Sequence, residues 1–248
     1  MARHEKIQQQ AASFDRAAEV YERARPEYPA EAVEWMLPAD AHTVLDLGAG
    51  TGKLTRALVA RGLEVFAVDP SPKMLDQLRT ALPGATVSVG TAEDIPLADT
   101  SVDAVVVGQA WHWVDQDAAL PSVARVLRPG GTLGLIWNLR DERVAWVERL
   151  TAVMHPAEGE IFVGSGTIQQ GPFGAIESAN FEWSRDFSRD DLLDLVRSRS
   201  YFITAVEAEQ ASILDGVNAL LDTDPDVGGQ TYWSMPYVTR AFRMRLPG

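Results

Sequence analysis

The sequence predicts an α/β fold in which a mostly parallel, doubly wound sheet is covered by helices on both faces. Short runs rich in Val, Ile and Leu alternate with segments of helical period, as expected for strands buried on both sides. Start and stop signals punctuate them: Ser71 with Pro72 opens a helix, and Pro129 with Gly130 and Gly131 closes one. The composition, 46% hydrophobic and 23% charged over 248 residues, suits an ordinary globular chain with a sizeable core.

In chain order, "FDRAAEVYERARPEYP" (14–29) reads as a helix ended by two prolines. Strands follow at "TVLDL" (43–47), "EVFAV" (64–68), "TVSV" (86–89), "VDAVVVG" (102–108) and "TLGLIWN" (132–138). Helices are expected over Lys53 to Arg61 and Pro72 to Leu82, and a further one ending at "VLRPGG" (126–131), where the glycines turn the chain into the next strand. The C-terminal third has a different texture. "FEWSRDF" (181–187) reads as a strand, "SRDDLLDLVRSRS" (188–200) as a capped amphipathic helix and "EAEQASILDGVNALLD" (207–222) as another helix. "TYWSMPYVTRAFRMR" (231–245) reads as a last, edge strand, the seventh. The stretch from about 155 to 180, with "VGSGTIQQGPFG" inside it, reads as a functional or mobile loop.

A formal charge of −13 argues against a sequence-independent grip on nucleic acid, which needs basic surface. The absence of cysteine removes disulfides and thiolate metal sites, and no metal site is expected. The opening "MARHEKIQQQ" has no apolar signal core and no run is long enough for a membrane span, so a cytoplasmic protein without a membrane partner is expected. Nothing in the chain predicts an oligomeric state.

The chemistry concentrates in "VLDLGAGTGKLT" (44–55), a strand, a glycine turn and a helix start. There, backbone amides can face a ligand and glycine lets it approach. Gly48, Gly50 and Gly52 give G-x-G-x-G, whereas the dinucleotide fingerprint requires glycine where Lys53 stands. Asp46 lies on the strand two residues before the first glycine. A carboxylate there is costly without a partner, and a ligand ammonium is a natural one. Asp69 closes the next strand, where nucleotide-binding α/β folds place an acid for ribose hydroxyls. The two acids describe a ligand with a cationic end and a ribose end.

With "VDPSPKML", "GTAEDIPLADTSVDAVVVGQAWHW" and "VARVLRPGGTLGLIWN" following in order, residues 43–138 resemble the class I S-adenosylmethionine-dependent methyltransferases. "FDRAAEVYERARPEYP", "QAWHW", "WNLRDE" and "MPYVTRAFR" extend the resemblance to the small-molecule branch that includes trans-aconitate and ubiquinone-biosynthesis methyltransferases. The resemblance implies a Rossmann-like seven-stranded sheet in a single domain over 1–248. Within it, 1–30 would be an N-terminal helical lid, 40–140 the cofactor core, and 141–248 strands with a helical insertion capping the substrate. It implies S-adenosyl-L-methionine as cofactor. Gly48, Ala49 and Gly50 would lie against its methionine part, with Asp46 toward its amino group and Asp69 toward its ribose. Pro70, Ser71 and Met74 would flank the adenine, and Ala92 and Glu93 would meet its edge. Tyr21 and Arg25 would reach the methionine end from the lid. Many relatives carry aspartate where Thr91 stands, which leaves the adenine contacts open.

"GQAWHW" (108–113) ends the fourth strand, at the switch point where such sheets bind ligands. Gln109 is therefore expected beside the methionine moiety, with Trp111, His112 and Trp113 starting the wall of a small-molecule acceptor pocket. A histidine can take a proton near neutral pH, which serves a hydroxyl acceptor, so His112 is the catalytic candidate. A carboxylate acceptor needs no base but favours a nearby cation, for which Arg140 is the substrate-binding candidate and Arg197 and Arg199 are further ones. Methylation at oxygen is the expectation. A nicotinamide dehydrogenase, a nucleic-acid or protein methyltransferase, and a cofactor-binding regulator without turnover stand as alternatives.

Overall fold

The computed structural model describes residues 25–156 and 158–248. The seven strands are β1 (Thr43–Leu47), β2 (Glu64–Asp69), β3 (Thr86–Val89), β4 (Val102–Gly108), β5 (Leu127–Arg140), β6 (Glu177–Ser188) and β7 (Tyr232–Arg245). They form one sheet in the order β3-β2-β1-β4-β5-β7-β6. β1 pairs in parallel with β2 and with β4, β2 with β3, and β4 with β5. The Rossmann-like, doubly wound expectation is borne out, and the order reverses between β1 and β4 as expected.

The chain divides into two compact units. The larger comprises Glu27–Asn138, Phe162–Phe181 and Thr239–Gly248. Its helices among the described residues are α1 (Ala30–Met36), α2 (Lys53–Val59), α3 (Pro72–Ala81) and α4 (Gln116–Val126). β1 is buried along its full length, and Val44, Leu54, Leu58, Val65, Ala104, Val106 and Ile136 join Met36 of α1 in one apolar cluster. Ser71 caps α3 by accepting from the Met74 amide, with Pro72 in the first turn, as the sequence predicts. The smaller unit takes Leu139–Ile161, Glu182–Val238 and the described end of Met1–Pro26. It contains α5 (Ala145–Met154), the first half of the short α6 (Glu158–Ser165) up to Ile161, α7 (Arg189–Arg197), α8 (Ser200–Thr204) and α9 (Glu207–Thr223). A separate core built on Trp146, Leu150, Phe187, Val196, Val217 and Trp233 holds it together. α7 opens on a full capping box between Ser188 and Asp191.

Three expectations are corrected. β7 is not an edge strand: it lies between β5 and β6. Its alternating polar residues imitate a solvated edge, yet Thr239 is fully buried and its hydroxyl donates to Asn138 Oδ1 at 2.6 Å. "VLRPGG" does not carry a helix into a turn, because α4 ends at Val126 and Leu127 already pairs with Val102. Pro129 and the glycines are absorbed in a register shift between Val102 and Ala104. The stretch 155–180 is not all loop. α6 forms within it despite Gly159 and Gly164, with Glu158 and Glu160 favourably placed in its first turn. Among the described residues no helix is long and apolar enough to cross a membrane.

Candidate active site

The carboxyl ends of β1, β2 and β4, all in the larger unit, bring Asp46, the glycine turn, Asp69 and Gln109 to one edge of the sheet. Asp46 is 1% exposed. Its Oδ2 accepts from the Thr55 hydroxyl at 2.6 Å, while Oδ1 is buried without a hydrogen-bond partner. Burial pushes its carboxyl up to about 7, with nearby Asp69 adding to the rise and the Thr55 hydrogen bond opposing it. Two acids so placed, one with an unused oxygen, call for a cationic donor.

Asp69 is held rigidly. Its Oδ2 accepts from the Gly50 amide at 2.9 Å and its Oδ1 from the Ser71 amide at 2.8 Å. The two backbone amides hold the carboxylate in one orientation. Gly48 and Gly50 have φ of +75° and +55°, which side chains other than glycine disfavour. A Cβ on Gly48 would sit 2.8 Å from the Ala110 Cβ, whereas a Cβ on Gly50 would meet nothing within 4 Å. The turn therefore touches the β4 exit on one side and leaves open space on the other. One detail differs from expectation. The Gly48 and Ala49 amides both donate to Val68 O and the Gly50 amide to Asp69, so the turn offers a ligand shape more than amide donors.

Pro70 and Ser71 lead from Asp69 into α3, and Met74 on that helix is buried. Ala92 is also buried. Glu93 accepts from the Asp115 amide at 3.0 Å, tying its loop to the segment that follows β4. Thr91 forms a turn with Asp94, whose amide donates to its hydroxyl. Gln109 has φ of +56°, an uncommon conformation for a residue with a side chain. Its amide donates to Ile136 O at 2.9 Å and its Nε2 to Asn138 O at 3.2 Å, so β5 holds it in place.

Trp111–Trp113 forms one turn of 3₁₀ helix. Trp111 is 0% exposed and its indole donates to Gln116 Oε1 at 3.1 Å. It braces the turn from inside and is not an accessible wall. His112 and Trp113 are part-buried, with ring centroids 4.6 Å apart. Trp137 Nε1 donates to His112 Nδ1 at 3.5 Å, and Phe162 lies 5.7 Å from Trp137 and 6.3 Å from His112, centroid to centroid. An indole nitrogen only donates, so Nδ1 is the acceptor in this contact.

Trp137, Phe162, Thr55 and Asn138 were not singled out from the sequence. Trp137 follows from the pairing of β4 with β5, in which Gly108 lies opposite Ile136, a neighbour relation the sequence reading did not use. Phe162 was hidden by the loop expectation. Tyr21 lies outside the described residues. Arg25 and Arg140 both belong to the smaller unit. There Arg25 donates from Nε to Ser198 Oγ at 3.2 Å and from Nη2 to Ser198 O at 3.1 Å.

A family described as a methyltransferase domain matches residues 45–135. An uncharacterized methyltransferase of Mycobacterium tuberculosis is 52% identical over 234 residues, spanning 94% of this chain and 96% of its own. A malonyl-[acyl-carrier protein] O-methyltransferase of Methylococcus capsulatus is 42% identical over 113 residues, 42% of this chain and 41% of its own. Among solved structures, a putative type II methyltransferase from Anaeromyxobacter dehalogenans is similar with a TM-score of 0.67 and 26% identity, covering 90% of this chain and 99% of that one.

Proposed function

Because the chain belongs to the class I S-adenosylmethionine-dependent methyltransferases, we infer that it methylates a small molecule at oxygen, and at a carboxylate in preference to a hydroxyl. The coarser activity, methylation of a small molecule with S-adenosyl-L-methionine as cofactor, is common to the family and its fold. When bound, the cofactor supplies a methyl group on a positively charged sulfur that is already a good leaving group. Asp46, whose Oδ1 is buried without a partner, would accept from the ammonium of the methionine part, and Asp69, fixed by two backbone amides, would accept from the ribose. Gly50 leaves the space for close approach.

The observation that carries the preference for a carboxylate is the Trp137 to His112 hydrogen bond. It makes Nδ1 an acceptor from Trp137, which gives His112 an orienting role in place of a base's. A carboxylate is ionised at neutral pH and needs no base. Accepting the cofactor's methyl group would release no proton from such an acceptor, so His112 would serve to orient it and would have no proton to take. Most of the acceleration then comes from holding the reacting atoms in line about 3 to 3.5 Å apart. The Trp113, Trp137 and Phe162 rings around His112 help exclude water from that line. The name of the Methylococcus relative, an O-methyltransferase, lends support.

The test is an acceptor panel of small carboxylic acids, alcohols, phenols, amines and thiols with isotopically labelled cofactor. A product whose label is released by mild base as methanol identifies a methyl ester. A base-stable N-, S- or ether-linked product as the main outcome would refute the carboxylate preference.

A further inference from the structure

The smaller unit buries an unusual set of polar groups. Arg140, at the end of β5, is 4% exposed, and Arg199, between α7 and α8, is 5% exposed. Both reach the same acid: Arg140 Nη2 lies 3.3 Å from Glu160 Oε2 and Arg199 Nη1 lies 3.4 Å from Glu160 Oε1. Arg140 Nε also donates to the Thr151 hydroxyl at 3.2 Å. Beyond these, Arg140 Nη1, Arg199 Nε and the hydroxyls of Tyr201 and Tyr237 are buried with no hydrogen-bond partner. They make up four of the five such side-chain atoms among the described residues, the fifth being Asp46 Oδ1.

These four atoms belong together. The two guanidiniums act on each other electrostatically, and both act on the two phenols. Burial raises both phenols and lowers Arg140. The phenols therefore stay protonated, and Arg140, whose ordinary value lies far above neutral, stays charged. All four atoms then carry hydrogens to give, while Glu160 is the acid that both guanidiniums share. An unpaired buried donor costs about 1–3 kcal/mol, more when charged. A set of buried donors, two of them on guanidiniums, is completed by an anionic, acceptor-only ligand. Planar guanidinium forks match a carboxylate.

We propose that Arg140, Arg199, Tyr201 and Tyr237 form a buried carboxylate-binding site for a small organic acid. Its ligand class is the acid class that the oxygen-methylation reading above favours, and the site stands on its own buried groups.

The experiment uses the full chain. Thermal shift and calorimetric titration are run with acetate, succinate and phenylacetate, their amides and inorganic phosphate, at constant ionic strength, with S-adenosylhomocysteine binding measured on the same samples. At least one carboxylate is expected to bind saturably and its amide not. Tyr201→Phe and Tyr237→Phe remove hydroxyls that bond nothing within the protein, so the melting temperature without ligand should hold or rise. Carboxylate affinity should meanwhile fall about tenfold, the loss of one hydrogen bond to a charged group. Arg199→Gln should abolish it. Carboxylates that behave like their amides, phosphate binding in their place, or phenylalanine variants that bind as tightly as wild type would each overturn the site. If S-adenosylhomocysteine binds normally in that case, only the site falls. Saturable carboxylate binding without cofactor binding would instead keep the site and overturn the methyl-transfer reading.

Discussion

Asp46→Asn separates the cost of the cofactor site from its use. Asp46 is fully buried, with one oxygen unpartnered and a carboxyl raised from 3.8 to about 7. Each tenfold step in proton affinity is worth about 1.36 kcal/mol, so an ionised Asp46 costs the cofactor-free fold about 4 kcal/mol. The folded chain holds this proton more tightly than the unfolded chain does. Stability is thus highest, for this group, below 3.8, declines as pH rises to about 7, and stays reduced above it. Asparagine removes the titration. Without ligand, the variant should be more stable than wild type by about 4 kcal/mol at pH 8 and by less than about 2 at pH 5. At about 2–4 °C per kcal/mol for a chain of this size, the pH 8 difference is roughly 8–16 °C in melting temperature. Cofactor binding should move the other way. Wild-type affinity for S-adenosylhomocysteine should be about tenfold weaker at pH 6 than its plateau above pH 8, because only about a tenth of Asp46 is ionised there. The variant should bind roughly 10–100-fold more weakly than that plateau, without pH dependence. Differential scanning calorimetry and titration calorimetry read both. A variant that melts below wild type at pH 8, or a wild-type affinity that is flat between pH 6 and 8, refutes the assignment.

Gly48→Ala meets both a φ of +75° and a Cβ contact of 2.8 Å with Ala110. It should cost about 1–3 kcal/mol in denaturant unfolding and weaken the cofactor; equal stability to wild type would show that the turn tolerates a side chain. His112→Gln keeps a donor but cannot act as a base. With a carboxylate acceptor its turnover should fall less than tenfold, whereas a loss of roughly 10²–10⁴-fold would mark His112 as a general base. Ser188→Ala removes the capping hydroxyl of α7; it should lower stability by about 1 kcal/mol and leave S-adenosylhomocysteine affinity unchanged, as titration calorimetry would show.

Whether a feature could be read in the sequence depended on how many separate segments had to converge on it. Asp46 lies one residue from the end of β1 and Asp69 closes β2, its parallel neighbour, and Asp46 pairs with Ala67 two residues before Asp69. Strand period and neighbour order alone therefore bring them to one edge, and no knowledge of side-chain packing was needed. The Thr55 hydroxyl that takes up half of the Asp46 carboxylate lay nine residues on, and its contact depends on how α2 docks, which no local pattern encodes. The turn after β4 was placed correctly but given the wrong internal division. Three aromatic side chains in a row look alike in sequence, and only the partners Gln116 and Trp137 distinguish the brace Trp111 from His112, the ring that accepts from indole. The arginine and tyrosine cluster needed most. Arg140 leaves β5, Arg199 and Tyr201 flank the start of α8, and Tyr237 comes from β7, whose interior place in the sheet its polar alternation disguised. The same chemistry marks both kinds of place. Among the described residues, the five buried side-chain polar atoms without partners divide into an acid that lacks a cation and a set of donors that lack an anion. Unmet demand of opposite sign, one kind in each unit, points to a cationic group bound in the larger unit and an anionic one in the smaller.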